Sequence, residues 1–584
     1  MISRASVTVQ ANLSFLPKEH FLDERYSLTL ILHRCTWVVV LLLLSVITLA
    51  AAPASLVADA AMRGDVEAVR ILLRDGADAN AAHGDGMTAL HWAATNDSAV
   101  IAKMLVYAGA NIEASTRLGH YTPLHLAAKA GSAAVVSILL EAGATASAAT
   151  STGGAQAIHF AAAAGIVESV EMLLDYGADV DAREDIRQQT PLMFAGAFDR
   201  APVIKSLLAR GADVALTAEV INISEREVSD RADQRGDAPP PTSSAPERYA
   251  VNEEEPLSYA DLVGHHGGLT ALLHAVREGH VESVMALLEA GADIDQPSAG
   301  DHTPPMLMAM LNGHFDLALS LLALGADPAL ASDAGATPLY AALNLHWAPK
   351  SRYPQQHVYR QQRVNYMDVV RAVLEAGVDP NARLTKHLWY MSYNFDLLRV
   401  DTKGATPFWR AAYALDVPAM RLLVAYGAEP GLATEKPPQR FRREQDRDTD
   451  PSGLPLVPVG GPAVYPIHAA SGAGYGQGFA ANAHRYVPDG WLPAVRYLVE
   501  EVGADVNSRD VDGYTAVHHA AARGDNELIL YLVGQGADVT AVNRSGQTTA
   551  DMANGPVQRI QPFPETLALL MGLGAINNGN CVSC

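Results

Sequence analysis

The chain reads as an all-α solenoid of helix–turn–helix units joined by short β-turn fingers, and two observations predict this. The first is a phase: Thr88, Thr122, Gln156 and Thr190 occupy equivalent places at a constant spacing of 34 residues. Self-similarity at such a period marks a stacked-repeat architecture. The second is the content of one period. In Thr122–Ala144, TPLHLAAKAGSAAVVSILLEAGA, Thr122 supplies an N-cap hydroxyl and Pro123 sits where its missing N–H costs nothing. Leu124, Leu126, Ala127 and Ala128 form the packing face of a short first helix that Gly131 ends. Val135, Val136, Ile138, Leu139 and Leu140 recur at helical spacing in a second helix, closed by Gly143. One such pair cannot bury its own apolar face, so each unit needs neighbours.

The units can be followed in order. The first starts at about Ser55, with Leu56–Gly64 and Val66–Leu73 as its helices and Gly76-Ala77-Asp78 as its close. Its opening departs from the pattern, as a capping unit's should. TALHWAA (Thr88–Ala94), TPLHLAA (Thr122–Ala128), QAIHFAA (Gln156–Ala162) and TPLMFAG (Thr190–Gly196) open the next four, so units one to five fill residues 55–216. Residues 217–266 break the phase. Glu219, Glu225, Glu227, Glu253, Glu254 and Glu255, with Pro239-Pro240-Pro241, predict an acidic, flexible insertion that lacks the apolar content to fold alone. Thr270, Thr303, Thr337 and Thr406 open units six to nine within residues 267–430. Two further insertions interrupt them: 347–366 between the helices of one unit, and 384–400 between units. Residues 431–462, charged and rich in Pro and Gly, read as another flexible insertion. Tyr465, Thr515 and Thr548 open units ten to twelve within 463–575, the first of them split by an insertion at about 475–490 and the last a degraded cap ending at Gly574-Ala575. Residues 576–584 form a tail.

The recurring T-P-L-H opening and G-A-D close, in a unit of about 33 residues, resemble the ankyrin-repeat family. The resemblance covers most of residues 55–575. It implies a concave surface of fingers and inner helices that binds protein partners, and a non-catalytic scaffold as the function. It also implies that His91, His125, His159, His468 and His518, at the fourth position of the opening, bond to backbone and steady the turn. His280 and His314, in Gly-His pairs at the inter-helix turn, are consensus-like too, so none of the seven is assigned to a metal.

Composition removes other classes. The formal net charge of −22 argues against nucleic acid, whose binding depends on Lys and Arg neutralising phosphates. GAGYGQG at 472–478 fails G-x-G-x-x-G, because Gln477 stands at its last glycine, and it follows a helix rather than a strand. The sequence holds no P-loop, H-E-x-x-H or G-x-S-x-G motif, and no catalytic residue is assigned.

At the N-terminus, WVVVLLLLSVITLAAA (residues 37–52) is a continuous apolar run, short for a membrane span of about 20 residues. Ala52-Pro53-Ala54 fits an A-x-A cleavage site. Residues 1–54 are therefore expected to be a signal peptide that sends the repeats to a bacterial periplasm or outside the cell. The alternative is an uncleaved anchor that holds the protein to a membrane through residues 37–52 alone.

Two features suggest sites. The insertions concentrate aromatic residues: Trp347, Tyr353 and Tyr359 in one, Trp389 and Tyr390 in another, and Trp491 beside a third. Trp, Tyr and Arg carry much of the energy at protein interfaces, so these six are candidate partner-binding residues. The alternative is that the loops fold back over the solenoid's own apolar flank. The second feature is the tail, Cys581-Val582-Ser583-Cys584. It resembles the start of C-x-x-C-H, the attachment motif of c-type haem, with the chain stopping before the His. A cytochrome c-like module truncated after Cys584, with the repeats as its docking arm, is one reading; a disulfide and no role are the others. No cofactor is assigned unless the chain is truncated there.

Overall fold

The computed structural model describes residues 55–226, 256–347, 358–388, 400–438, 450–474, 490–557, 561–582 and 584. Twelve helix pairs lie among these residues. The first five are α1 (Leu56–Met62) with α2 (Val66–Arg74), α3 (Ala89–Thr95) with α4 (Ala99–Tyr107), α5 (Pro123–Ala130) with α6 (Ala133–Glu141), α7 (Ala157–Ala164) with α8 (Val167–Asp175), and α9 (Pro191–Ala197) with α10 (Ala201–Ala209). After an extra short helix α11 (Tyr259–Val263) come α12 (Ala271–Glu278) with α13 (Val281–Glu289), α14 (Pro305–Leu311) with α15 (Phe315–Ala323), and α16 (Pro338–Trp347) with α17 (Tyr366–Glu375). The last four pairs are α18 (Pro407–Tyr413) with α19 (Val417–Ala425), α20 (Pro466–Ser471) with α21 (Trp491–Arg496), α22 (Ala516–Ala521) with α23 (Asn526–Gly534), and α24 (Thr549–Ala553) with α25 (Pro564–Gly572).

Local chemistry sets these boundaries. Thr88, Thr122, Thr190, Thr270, Thr406, Thr515 and Thr548 each cap a first helix, their hydroxyl accepting the backbone N–H three residues on. Gly131 ends α5 at a φ of 77°, a left-handed conformation that other residues adopt at a cost. Each first helix packs on the first helix of the next pair, from α1 to α24 without a gap, and most second helices stack likewise. The core is one continuous apolar ribbon that runs from Val57 to Ala575. Its inner helices meet through alanines such as Ala93, Ala127 and Ala161, all fully buried, and these small side chains let neighbouring helices approach closely.

Three expectations about the insertions need correction. The ends of 217–266 are ordered: β1 (Val220–Asn222) pairs antiparallel with β2 (His265–Gly267), with Ile221 opposite His266. Ser258 caps α11 beside them through a reciprocal bond with Asp261. The β-branched pair Val220-Ile221 in an otherwise polar stretch carries this strand, and α9 packs directly on α12 across the break. The insertion at 347–366 is shorter than its bounds, because α16 reaches Trp347 and α17 already includes Tyr366. The described part of 431–462 is not free. Asp450–Pro462 forms a strap over the fingers of the last units, held by Arg544 and Lys436.

Candidate protein-interaction surface

The T-P-L-H residues come first, because they join one unit to the next. The backbone N–H of Thr122 donates to His125 Nδ1 at 3.1 Å, which places the ring proton on Nε2. That Nε2–H donates to the Ala148 carbonyl, in the following finger, at 2.9 Å. His91 reaches the Tyr121 carbonyl (2.9 Å), His159 the Ala182 carbonyl (3.0 Å) and His468 the Ser508 carbonyl (3.0 Å) in the same way. Burial lowers the pKa of His91, His125 and His159, against the raising effect of those carbonyls. The rings are therefore neutral cross-braces that fix each finger to its neighbour.

In several units the next residue lies at the edge of the core, half-buried and packed against it. Trp92, Leu126, Phe160 and Phe194 hold this place on α3, α5, α7 and α9, and Met308 holds it on α14, where Pro304 rather than Thr303 stands at the N-cap; all are half-buried. The first four form an apolar stripe along α3, α5, α7 and α9; on α12 the place is taken by His274, which is buried, and an apolar side chain returns with Met308 on α14. Edge contacts fix its rings: His125 meets Phe160 at 6.0 Å and His159 meets Phe194 at 5.4 Å. Trp92 Nε1–H donates to His83 Nδ1 at 3.1 Å, while His83 Nε2 bonds Asp59 at 2.9 Å.

The same place in the second half is closed. Ala341, Arg410, Ala469 and His519 are all buried. Arg410 Nε donates to Asn344 Oδ1 at 2.9 Å. His519 Nε2 lies 3.1 Å from Asp510 Oδ2, and its ring is 5.8 Å from that of His468. Burial pulls His468 down to about 4 and His518 and His519 to about 3, and it pushes Asp510 up. Two backbone N–H groups, of Asp512 and Tyr514, donate to the Asp510 carboxylate.

The candidate aromatic residues divide. Tyr353, Trp389 and Tyr390 lie outside the described residues, and Trp347 is the last residue of α16. Trp491 is a correction: it is 6% exposed, with the Arg523 guanidinium 3.5 Å above its ring, so it packs the core between units ten and eleven. Tyr359 also folds back, half-buried, with its ring 6.3 Å from that of Phe315. Asp316 holds this return segment by accepting the N–H groups of Arg363 and Val364. Fold-back therefore describes these two residues.

The sequence reading missed the strap. Arg544 donates to Asp450 Oδ2 (2.7 Å) and to the Leu454 and Pro455 carbonyls (3.3 and 2.6 Å), and Lys436 Nζ donates to the Val457 carbonyl at 2.6 Å. In the tail, Cys581 and Cys584 are joined as a disulfide, and Val582 N–H donates to the Gly555 carbonyl at 2.9 Å. Among the described residues, no group of three or more His, Cys, Asp or Glu side chains is placed to hold a metal, and no helix is long and apolar enough to cross a membrane.

Comparison with known proteins gives the same repeat type. Family models described as "Ankyrin repeats (3 copies)" and "Ankyrin repeats (many copies)" match residues 57–150, 145–218 and 249–332, and residues 480–533. The chain is 45% identical over 64 residues to the rat ankyrin repeat and SAM domain-containing protein 6, covering 11% of this chain and 7% of that one. It is 42% identical over 72 residues to the mouse protein phosphatase 1 regulatory subunit 27, covering 12% of this chain and 46% of that one. The match thus spans less than half of either relative. The human ASB11 ankyrin repeat domain aligns at 26% identity over 43% of this chain and 90% of its own, with a TM-score of 0.32. Ankyrin repeats generally mediate protein–protein interaction, and proteins built from them are typically non-catalytic. With its phased openings, capped helices and matched repeats, the chain belongs to the ankyrin-repeat family.

Proposed function

We propose that the protein is a non-catalytic scaffold that works outside the cytoplasm and holds a protein partner on the inner face of units two to five. The half-buried stripe Trp92–Leu126–Phe160–Phe194 carries this reading. Its side chains are large and apolar and sit on rigid helices, and the rings of Phe160 and Phe194 are held by edge contacts. Such anchors lose little rotamer freedom on binding. Export rests on residues 37–54. The joined sulfurs of Cys581 and Cys584 suit an oxidising compartment and favour the disulfide over haem attachment, which would need both as free thiols.

Two measurements test the reading. The intact mass of native protein would match Ser55–Cys584 if the signal is cleaved, and retention of residues 1–54 would indicate an anchored protein. For the surface, partner capture by wild type is compared with capture by Phe160→Asp/Phe194→Asp. Loss of the partner with an unchanged melting temperature supports the stripe, and equal capture rejects it.

A further inference from the structure

The strap carries a pattern that the repeats do not use. Its half-buried residues Leu454 and Val457 are three apart, ahead of a turn in which the Gly461 N–H donates to the Pro458 carbonyl. Pro455, Leu456, Pro458 and Val459 are exposed, Leu456 at 84% and Val459 at 53%. A strand would alternate every two residues and a helix every 3.6. Three residues per turn is the period of polyproline II.

The covalent chemistry agrees. Pro455 and Pro458 fix their own φ near −65° and drive Leu454 and Val457, the residues before them, into extended backbone. The inner edge is held by side chains from far along the chain. Arg544 binds the Leu454 and Pro455 carbonyls and Lys436 binds that of Val457. Leu454 packs over Gly513, where a β-carbon would come 3.1 Å from its Cδ1. Arg544 is itself oriented by Asp450 and the Val511 carbonyl. The backbone is thus ordered before any partner arrives, and the outer ridge, Pro455-Leu456 and Pro458-Val459, faces solvent.

We propose that residues 454–458 form a pre-ordered polyproline II ligand for a partner domain whose aromatic-lined groove reads Pro-x-x-Pro segments. Grooves of this type take successive proline-containing turns between aromatic rings, and they gain from a ligand whose conformation is already fixed. The proposal extends the scaffold reading to a second surface, on the fingers of the last units and separate from the inner stripe.

The full-length protein is titrated against purified Src-homology 3 and WW domains, alongside Pro455→Ala/Pro458→Ala, Leu456→Asp and Phe160→Asp. At least one domain is expected to bind. Pro455→Ala/Pro458→Ala and Leu456→Asp should each lose about tenfold or more in affinity at an unchanged melting temperature, because the altered side chains are exposed. Phe160→Asp should bind as wild type does. A free peptide of residues 450–462 should bind about tenfold more weakly, having to order itself. Absence of binding by every domain of both types, binding retained by the strap variants, or equal binding by the peptide would each overturn the proposal. Partner capture lost only in Phe160→Asp bears on the inner stripe alone, so the two readings fail separately.

Discussion

Acidification should open the C-terminal units before the middle of the solenoid. The buried cluster of His468, His518, His519 and Asp510 is the cause. In the unfolded chain each imidazole titrates near 6.5; in the fold burial holds His468 at about 4 and the other two at about 3. A histidine pKa lowered by folding contributes stability that is complete above about pH 6.5 and is lost as pH falls, because the unfolded chain takes up the proton first. Three such groups give a slope of up to about 4 kcal/mol per pH unit below 6.5, at about 1.4 kcal/mol per proton. Asp510 acts the other way. Its raised pKa lets the fold bind a proton that the unfolded chain does not, which reduces the slope to about 3 kcal/mol per unit. Repeat arrays open locally, so the loss should appear first at α20 and α22. Hydrogen exchange measured as protection factors at pH 7.0 and 5.0 checks this, with α17 and α19, which contain no histidine, as the internal reference. Unchanged protection in α22 at pH 5.0, or an equal loss in α17 and α19, would refute the reasoning.

Three further outcomes are expected. Trp491→Ala removes a ring packed under a guanidinium and should destabilise units ten and eleven by about 3–5 kcal/mol, read by denaturant unfolding; a change below 1 kcal/mol would show that the ring is dispensable there. Thr122→Ala removes the cap of α5 and a hydroxyl partner of His125, and should cost about 1–2 kcal/mol by the same assay, whereas an equivalent change at the half-exposed Leu126 should cost less. Arg544→Ala frees the Leu454 and Pro455 carbonyls, so limited proteolysis should cut within 450–462 sooner than in wild type, and an unaltered cleavage map would contradict the clamp.

The units were legible because their signals are local. A Thr cap, a Pro at the first helical position and a Gly at the turn act within a few residues, and each recurs in phase. What the sequence hid acts over distance. Arg544 meets Pro455 from 89 residues away, so a Pro/Gly-rich stretch looked solvated when its carbonyls were bound. Trp491 looked like a surface anchor because it borders an insertion, but Arg523 of the next unit covers it. Residue type alone did not show which half of the inner stripe is open: Phe160 and Arg410 hold the same place in the motif, and only the structure shows one half-buried and the other enclosed. The strand pair at the phase break was readable in part from Val220, Ile221 and Ile223, since these β-branched residues stand out in an acidic stretch.

That strand pair has a consequence for how the gene can change. β1 and β2 bring the two ends of the inserted stretch side by side, while α9 stacks directly on α12 across the break. Closing a longer excursion at such a stem adds only about 0.6 kcal/mol for each doubling of its length. Whole domains could be exchanged at this port, or the stretch replaced by a two-residue turn, while the array on either side keeps its register.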